Sequence, residues 1–140
     1  MRNLNYLAIA ILLFGALSTV SCKKDNRQDP LVGKWNEVSE KVSTYLNDTL
    51  YNEQTINSEP GQIMQILADG TGKFYTNYVY DDSFKWKVEE DMFVFNYSSG
   101  DTSKMKYTLG KTSLTLQLTE LEGTGNLVFK YIVVQNFNRN

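Results

Sequence analysis

From Gln62 onward the chain alternates apolar and polar residues one by one, a pattern with period two. "GKFYTNYVY" sets Phe74, Thr76, Tyr78 and Tyr80 on one side of an extended segment. "SFKWKVE" sets Phe84, Trp86 and Val88 against Lys85 and Lys87. "KMKYTL" and "SLTLQLT" repeat the arrangement, with Met105, Tyr107 and Leu109 in one run and Leu114, Leu116 and Leu118 in the next. Successive side chains point to opposite faces of a strand, whereas a helix returns to one face every 3 to 4 residues. Such runs are half-buried β-strands.

The breaks carry turn chemistry: "ADGTG" at 68–72, "YDDS" at 80–83, "EED" at 89–91, "SSGD" at 98–101 and "LGKT" at 109–112. Their Asp-Gly, Asp-Ser and Gly steps tolerate positive φ or bond back to the backbone. Strands are predicted at 32–38, somewhere within 41–51, and at 62–68, 72–80, 83–88, 91–97, 103–109, 112–119 and 126–135. Connections this short make neighbours antiparallel, so the expected fold is an all-β up-and-down meander. A sheet of eight or nine short strands closes or folds on itself to hide its edges and bare apolar face. A β-barrel of about eight strands and a β-sandwich bury the same alternate residues, and periodicity leaves both open. Residues 39–62 mix helical and strand spacing and are read as a ragged hairpin followed by a loop ending at Pro60-Gly61.

The N-terminus is different. After Met1 and Arg2 comes "YLAIAILLFGAL" at 6–17, an uncharged, mostly apolar run followed by Ser18, Thr19 and Ser21. A positive start, a short apolar stretch and small residues before a cut have the form of an export signal, and a spanning helix needs about 20 apolar residues. The expected organisation is a signal peptide at 1–21, a polar tether at 22–30 and one β domain at 31–140. Cleavage before Cys22 removes Arg2, one of 14 basic residues, leaving 13 against 16 acidic ones. With no basic cluster to neutralise phosphates, nucleic acid is not an expected partner.

Composition narrows the chemistry. There is one cysteine, Cys22, so no internal disulfide forms, and there is no histidine. His-activated serine or cysteine nucleophiles are excluded, and a zinc site or other metal centre is not expected. No cofactor is implied. Asp81-Asp82 and Glu89-Glu90-Asp91 are the only carboxylate clusters that could serve an enzyme or a calcium ion, and both are read as hairpin breaks. The chain is not read as an enzyme.

"LSTVSC" resembles the lipobox of bacterial lipoproteins, with Thr19 where that family usually has leucine. The resemblance implies that Cys22 is lipidated, carrying more than one acyl chain such as palmitate. The protein is then exported and anchored in the bacterial cell envelope, the outer membrane being the expected site. The competing reading is an ordinary secreted protein cut after Ser21. A lone thiol outside the cytoplasm is reactive unless capped, and thioether attachment caps it.

"LVGKW" opens the first strand, with Trp35 and Glu37 on one face. Gly33 and Trp35 together resemble the Gly-x-Trp motif of the lipocalin family, and more closely the short lipocalin-like domains behind a lipobox in Bacteroidota-type lipoproteins. The resemblance implies an antiparallel barrel whose closed end is crossed by a buried, structural Trp35. The basic residue that often stacks on that tryptophan has no clear counterpart, Arg139 being almost terminal. Phe74, Tyr78, Phe84, Trp86, Phe93, Phe95, Tyr107 and Leu116 fall on inward positions and either line a ligand pocket or fill a solid core. Two functions follow: a lipid-anchored binder of a small apolar or amphipathic molecule, or a non-catalytic module contacting an envelope protein partner.

Overall fold

The computed structural model describes residues 29–139. The expected signal peptide, most of the tether and Cys22 lie outside the described residues. A 3-10 turn, Asp29–Leu31, leads into β1 (Gly33–Leu46), β2 (Thr49–Asn57), β3 (Ile63–Ile66), β4 (Thr71–Thr76), β5 (Val79–Glu89), β6 (Met92–Tyr97), β7 (Thr102–Leu109), β8 (Ser113–Thr124) and β9 (Leu127–Arg139). From β3 to β9 each strand pairs antiparallel with the next, and β3 pairs with the first residues of β1. β9 then pairs back onto β1, from Trp35 opposite Arg139 to Leu46 opposite Phe129. That pairing closes the ring, so the fold is an eight-strand lipocalin-like barrel, not a sandwich.

β2 is the ninth strand and stands outside the ring. β1 is long enough to have two partners along one edge: Gly33–Asn36 bind β3, and Ser39–Leu46 bind β2. The upper halves of β8, β9 and β1, with β2 added, therefore rise beyond the shorter strands as a four-stranded wing. The expected hairpin and loop are present, but the hairpin's first strand is the continuous extension of β1, its turn is tight, and the loop is confined to residues 58–62. The turn is Asn47-Asp48, with φ of 47° and 63°, the left-handed pair that matches strand twist. Asn47 fixes it to β9 by donating its N–H to the Val128 carbonyl and accepting the Val128 N–H at its side-chain oxygen, both at 2.9 Å. β1 carries one extra residue, Val38, against β9, and β2 carries one, Tyr51, against β1; from Ser39 to Leu46 the strand alternates without a break, so Val42 and Leu46 share one face and Tyr45 the other.

A second correction concerns 72–80. The chain turns at Asn77-Tyr78, with φ of 53° and 65°, and not at 80–83. The Asp81-Asp82 pair therefore lies inside β5, where Asp82 pairs with Phe74. A two-residue Asn-Tyr turn lacks the glycine that usually marks this geometry, which is why the Asp-Asp step is the more visible signal. Elsewhere the breaks fall as expected, with Glu90 at positive φ in the β5–β6 turn.

The core is built from the inward positions: Leu31, Trp35, Met64, Ile66, Phe84, Trp86, Phe93, Phe95, Leu114, Leu116 and Phe137. Burying each large side chain contributes roughly 1.5–3 kcal/mol. Trp86 and Phe93 stack at 5.4 Å, and contacts at 4.6 Å from Phe93 to Phe95 and 5.1 Å from Phe95 to Phe84 continue upward. Val94 points outward yet is 1% exposed, because it is paired between Lys87 and Lys104, whose apolar stems shield it.

Candidate ligand site at the barrel mouth

The two ends of the barrel differ. At the closed end Trp35 is fully buried and its indole N–H donates to the Leu31 carbonyl at 2.8 Å. Gly33 just before it has φ of 150°, a conformation open chiefly to glycine. Arg139 lies over the Trp35 ring, its guanidinium carbon 4.4 Å from the centroid, and donates from Nη2 to the carbonyls of Pro30 and Val32. The basic partner thought to be missing is thus Arg139, brought to the first strand by the β1–β9 closure. Trp35 is buried at the closed end, where the motif's resemblance implies it should lie.

The aromatic column opens toward the other end. Phe74 contacts Phe84 at 4.6 Å, and Tyr97 stacks on Phe95 at 5.9 Å and 8°. Above them lies a cavity of about 240 Å³, walled by Phe74, Phe95, Tyr97, Met105, Leu116 and Phe137 and rimmed by Glu37, Gln62, Tyr75, Thr76, Asp81 and Gln135. Sites for drug-sized molecules hold about 300–1,000 Å³. This cavity is smaller than that.

Of the inward residues named from sequence, Phe74, Phe95 and Leu116 line the cavity. Phe84, Trp86 and Phe93 are sealed beneath it, at 3%, 5% and 0% exposure. Trp86 is held there by sharing its N–H between the Leu67 and Thr71 carbonyls, both at 3.0 Å. Tyr107 packs against the core outside the cavity lining. Tyr78 sits on the β4–β5 turn, 69% exposed, because β4 ends at Thr76, four residues earlier than its alternation implies.

The polar rim was not anticipated. Glu37 shares the inward face with Trp35, so the alternation already pointed to it. Burial pushes its carboxyl above the usual range, a hydrogen bond from Ser58 pulls it back, and the neighbouring charge of Glu40 raises it further. Glu40 accepts a hydrogen bond from Gln135 at 3.2 Å. Asp81 accepts one from the Thr76 hydroxyl at 3.2 Å. Burial and the Asp82 charge raise the Tyr97 phenol, and Asp82 accepts from the Ser98 hydroxyl at 2.8 Å. Tyr97, Gln62 and Gln135 carried no signal in the sequence, since their position depends on which strand ends converge.

Glu89 ends β5 on the outer surface, where Lys104 and Lys87 hold its carboxyl at about 2. It does not face the cavity. Among the described residues, no three histidine, cysteine or acidic side chains are grouped to hold a metal ion. The chain matches no protein-family model, no curated protein and no solved structure.

Proposed function

We propose that this protein is a lipid-anchored, lipocalin-like component of the bacterial cell envelope that holds a small amphipathic molecule in its barrel mouth. The observation that carries the reading is the 240 Å³ cavity, with an aromatic floor and a polar rim at one open end. An apolar floor supplies binding energy and a few placed polar groups orient the guest. Anchoring rests on "LSTVSC": one acyl chain binds a membrane weakly, and two or more at ~0.8 kcal/mol per buried CH₂ bind it firmly. The orientation is consistent with an anchor. The chain joins the barrel at its closed end, beside Trp35, so a tether on Cys22 would leave the mouth facing away from the lipid.

The test is native mass spectrometry of the protein, expressed with its leader and purified from its own envelope. A co-purifying molecule released by Phe74→Trp, which fills the cavity, supports the reading. An empty protein and a Cys22→Ala variant that still labels with a clickable palmitate would overturn its two halves separately.

A second reading, an interaction module, is favoured by β2. Every residue of this edge strand is exposed, including Leu50, Tyr51 and Ile56, and Glu53 is its one charge, with no Lys or Pro to guard the edge. A photo-crosslinker at Tyr51 that traps one envelope protein in cells would support it. Crosslinking no stronger than at exposed Lys111 would count against it.

A further inference from the structure

The strand lysines point away from the barrel interior, whereas the cavity at the mouth is lined by acids. Trp35, Phe74, Phe84, Trp86 and Met105 point inward, so the strand lysines beside them, Lys34, Lys73, Lys85, Lys87, Lys104 and Lys106, all point outward. Register continues the pattern into the wing: Lys41 shares the outer face with Val134, and Lys130 with Tyr45, over whose ring it lies at 4.7 Å. Glu53 and Glu89 share that outer face, paired with Lys41 and with Lys87 and Lys104, but the acids nearest the mouth go the other way. Glu37 is paired with inward Phe137, Glu40 with Gln135 across from Leu116, and Asp82 with Phe74. Among the described residues lining the mouth cavity there is no Lys or Arg, while Glu37 and Asp81 both contribute to it.

From this juxtaposition we infer that the mouth takes a small organic cation, an amine or quaternary ammonium, with its charge between Glu37 and Asp81 and its apolar part against Phe74, Phe95, Tyr97 and Phe137. This deepens the ligand-binding reading and rests on it. Two independent features select that chemistry. Aromatic faces attract cations through their quadrupole, by about 0.5–1 kcal/mol when exposed and about 2 kcal/mol when desolvated. Carboxylates with no nearby cation supply an unbalanced negative field that a cationic guest relieves and an anionic guest worsens. Glu37 gains most. Its carboxyl is held up by burial and by Glu40, and among the described residues the lysine ion pairs go to other acids: Glu53 takes Lys41, Glu89 takes Lys87 and Lys104, and Asp48 takes Lys130.

The discriminating experiment is isothermal titration calorimetry of the protein, expressed with its leader and purified as the cell processes it. The ligands are choline, its uncharged carbon isostere 3,3-dimethylbutan-1-ol, and the anion 3,3-dimethylbutanoate. Choline should bind at least about tenfold more tightly than the isostere, the ratio set by about 1.4 kcal/mol of charge recognition, and the anion should not bind. Glu37→Gln and Asp81→Asn should each weaken choline at least about fivefold without changing the affinity for the isostere. Asp81 is exposed at the rim, so its variant carries the test if Glu37→Gln perturbs folding. Equal binding of choline and the isostere, or undiminished choline binding by both variants, overturns the cation assignment while leaving a neutral-ligand site standing. No binding of any of the three overturns the site itself.

Discussion

Arg139 stacks its guanidinium over the indole of Trp35, 4.4 Å from the ring centroid, and so joins the last strand to the first across 104 residues of sequence. The same guanidinium donates to the Pro30 and Val32 carbonyls. It therefore closes the floor of the barrel and pins the point where the chain enters it. A planar cation does this better than a point charge, because it can stack and fork at once. Arg139→Ala is expected to cost about 2 kcal/mol, from a lost cation–π contact and lost charge-assisted hydrogen bonds. Arg139→Lys should recover only part of that. Urea unfolding of both, with a Trp35→Phe double-mutant cycle, measures the coupling; additive effects would show that the contact contributes nothing.

Gly72 pairs with Phe84 across β4 and β5, and the Phe84 ring lies over it. A Cβ at position 72 would stand 2.1 Å from the Phe84 ring edge. Gly72→Ala should therefore destabilise the barrel by about 1–3 kcal/mol through overpacking. Pairing it with Phe84→Leu should cost less than the sum of the two changes, because the smaller side chain vacates the space. Equal stability of Gly72→Ala and wild type in chemical denaturation would contradict this arrangement.

Glu89 titrates in the opposite direction from Glu37. Lys104 and Lys87 lower its pKa from 4.5 to about 2. Its contribution is present above 4.5 and is lost as pH falls toward 2. Because Glu89 stands in solvent, salt should screen the effect. Thermal melts of wild type and Glu89→Gln should converge near pH 2 and separate above 4.5, with the gap shrinking in 1 M salt. Parallel curves at all pH values would show that the lysine pairs do not stabilise the fold.

Glu37 binds its proton more tightly in the folded than in the unfolded state, since burial raises its pKa above 4.5. The stability it contributes is present below 4.5 and is lost as pH rises through the folded value. Glu37→Gln removes this penalty, so the variant should melt higher than wild type at pH 7 and not at pH 4. Retaining a carboxylate where an amide would be more stable is the trade expected of a binding group. A variant that melts lower at pH 7 would show that the Ser58 hydrogen bond outweighs burial.

Much of the fold was legible because its signal is local. Leu114 and Leu116, Phe84 and Trp86, and Phe93 and Phe95 are two apart and buried, as strand geometry demands. Tyr78 misled because its alternation with Phe74 is interrupted by a turn without glycine, which ends the strand at Thr76 in place of Tyr80 and puts Tyr78 in the exposed turn itself. Glu37 was readable from Trp35 by the same rule, but a carboxylate on an inward face is easily mistaken for the polar side of a strand.

Alternation, turn residues and the lack of histidine are properties of neighbours along the chain, so the sequence by itself determined the all-β meander, the inward faces and the chemistries available. Which strand meets which is decided by register over long separations. Closure of β9 on β1 chose barrel over sandwich, turned Arg139 into the partner of Trp35, and left β2 outside the ring. The same closure gathered Glu37, Asp81, Tyr97 and Gln135 from four strands around one cavity. Each is unremarkable where it stands in the sequence, and only the closed ring sets them around one aromatic floor.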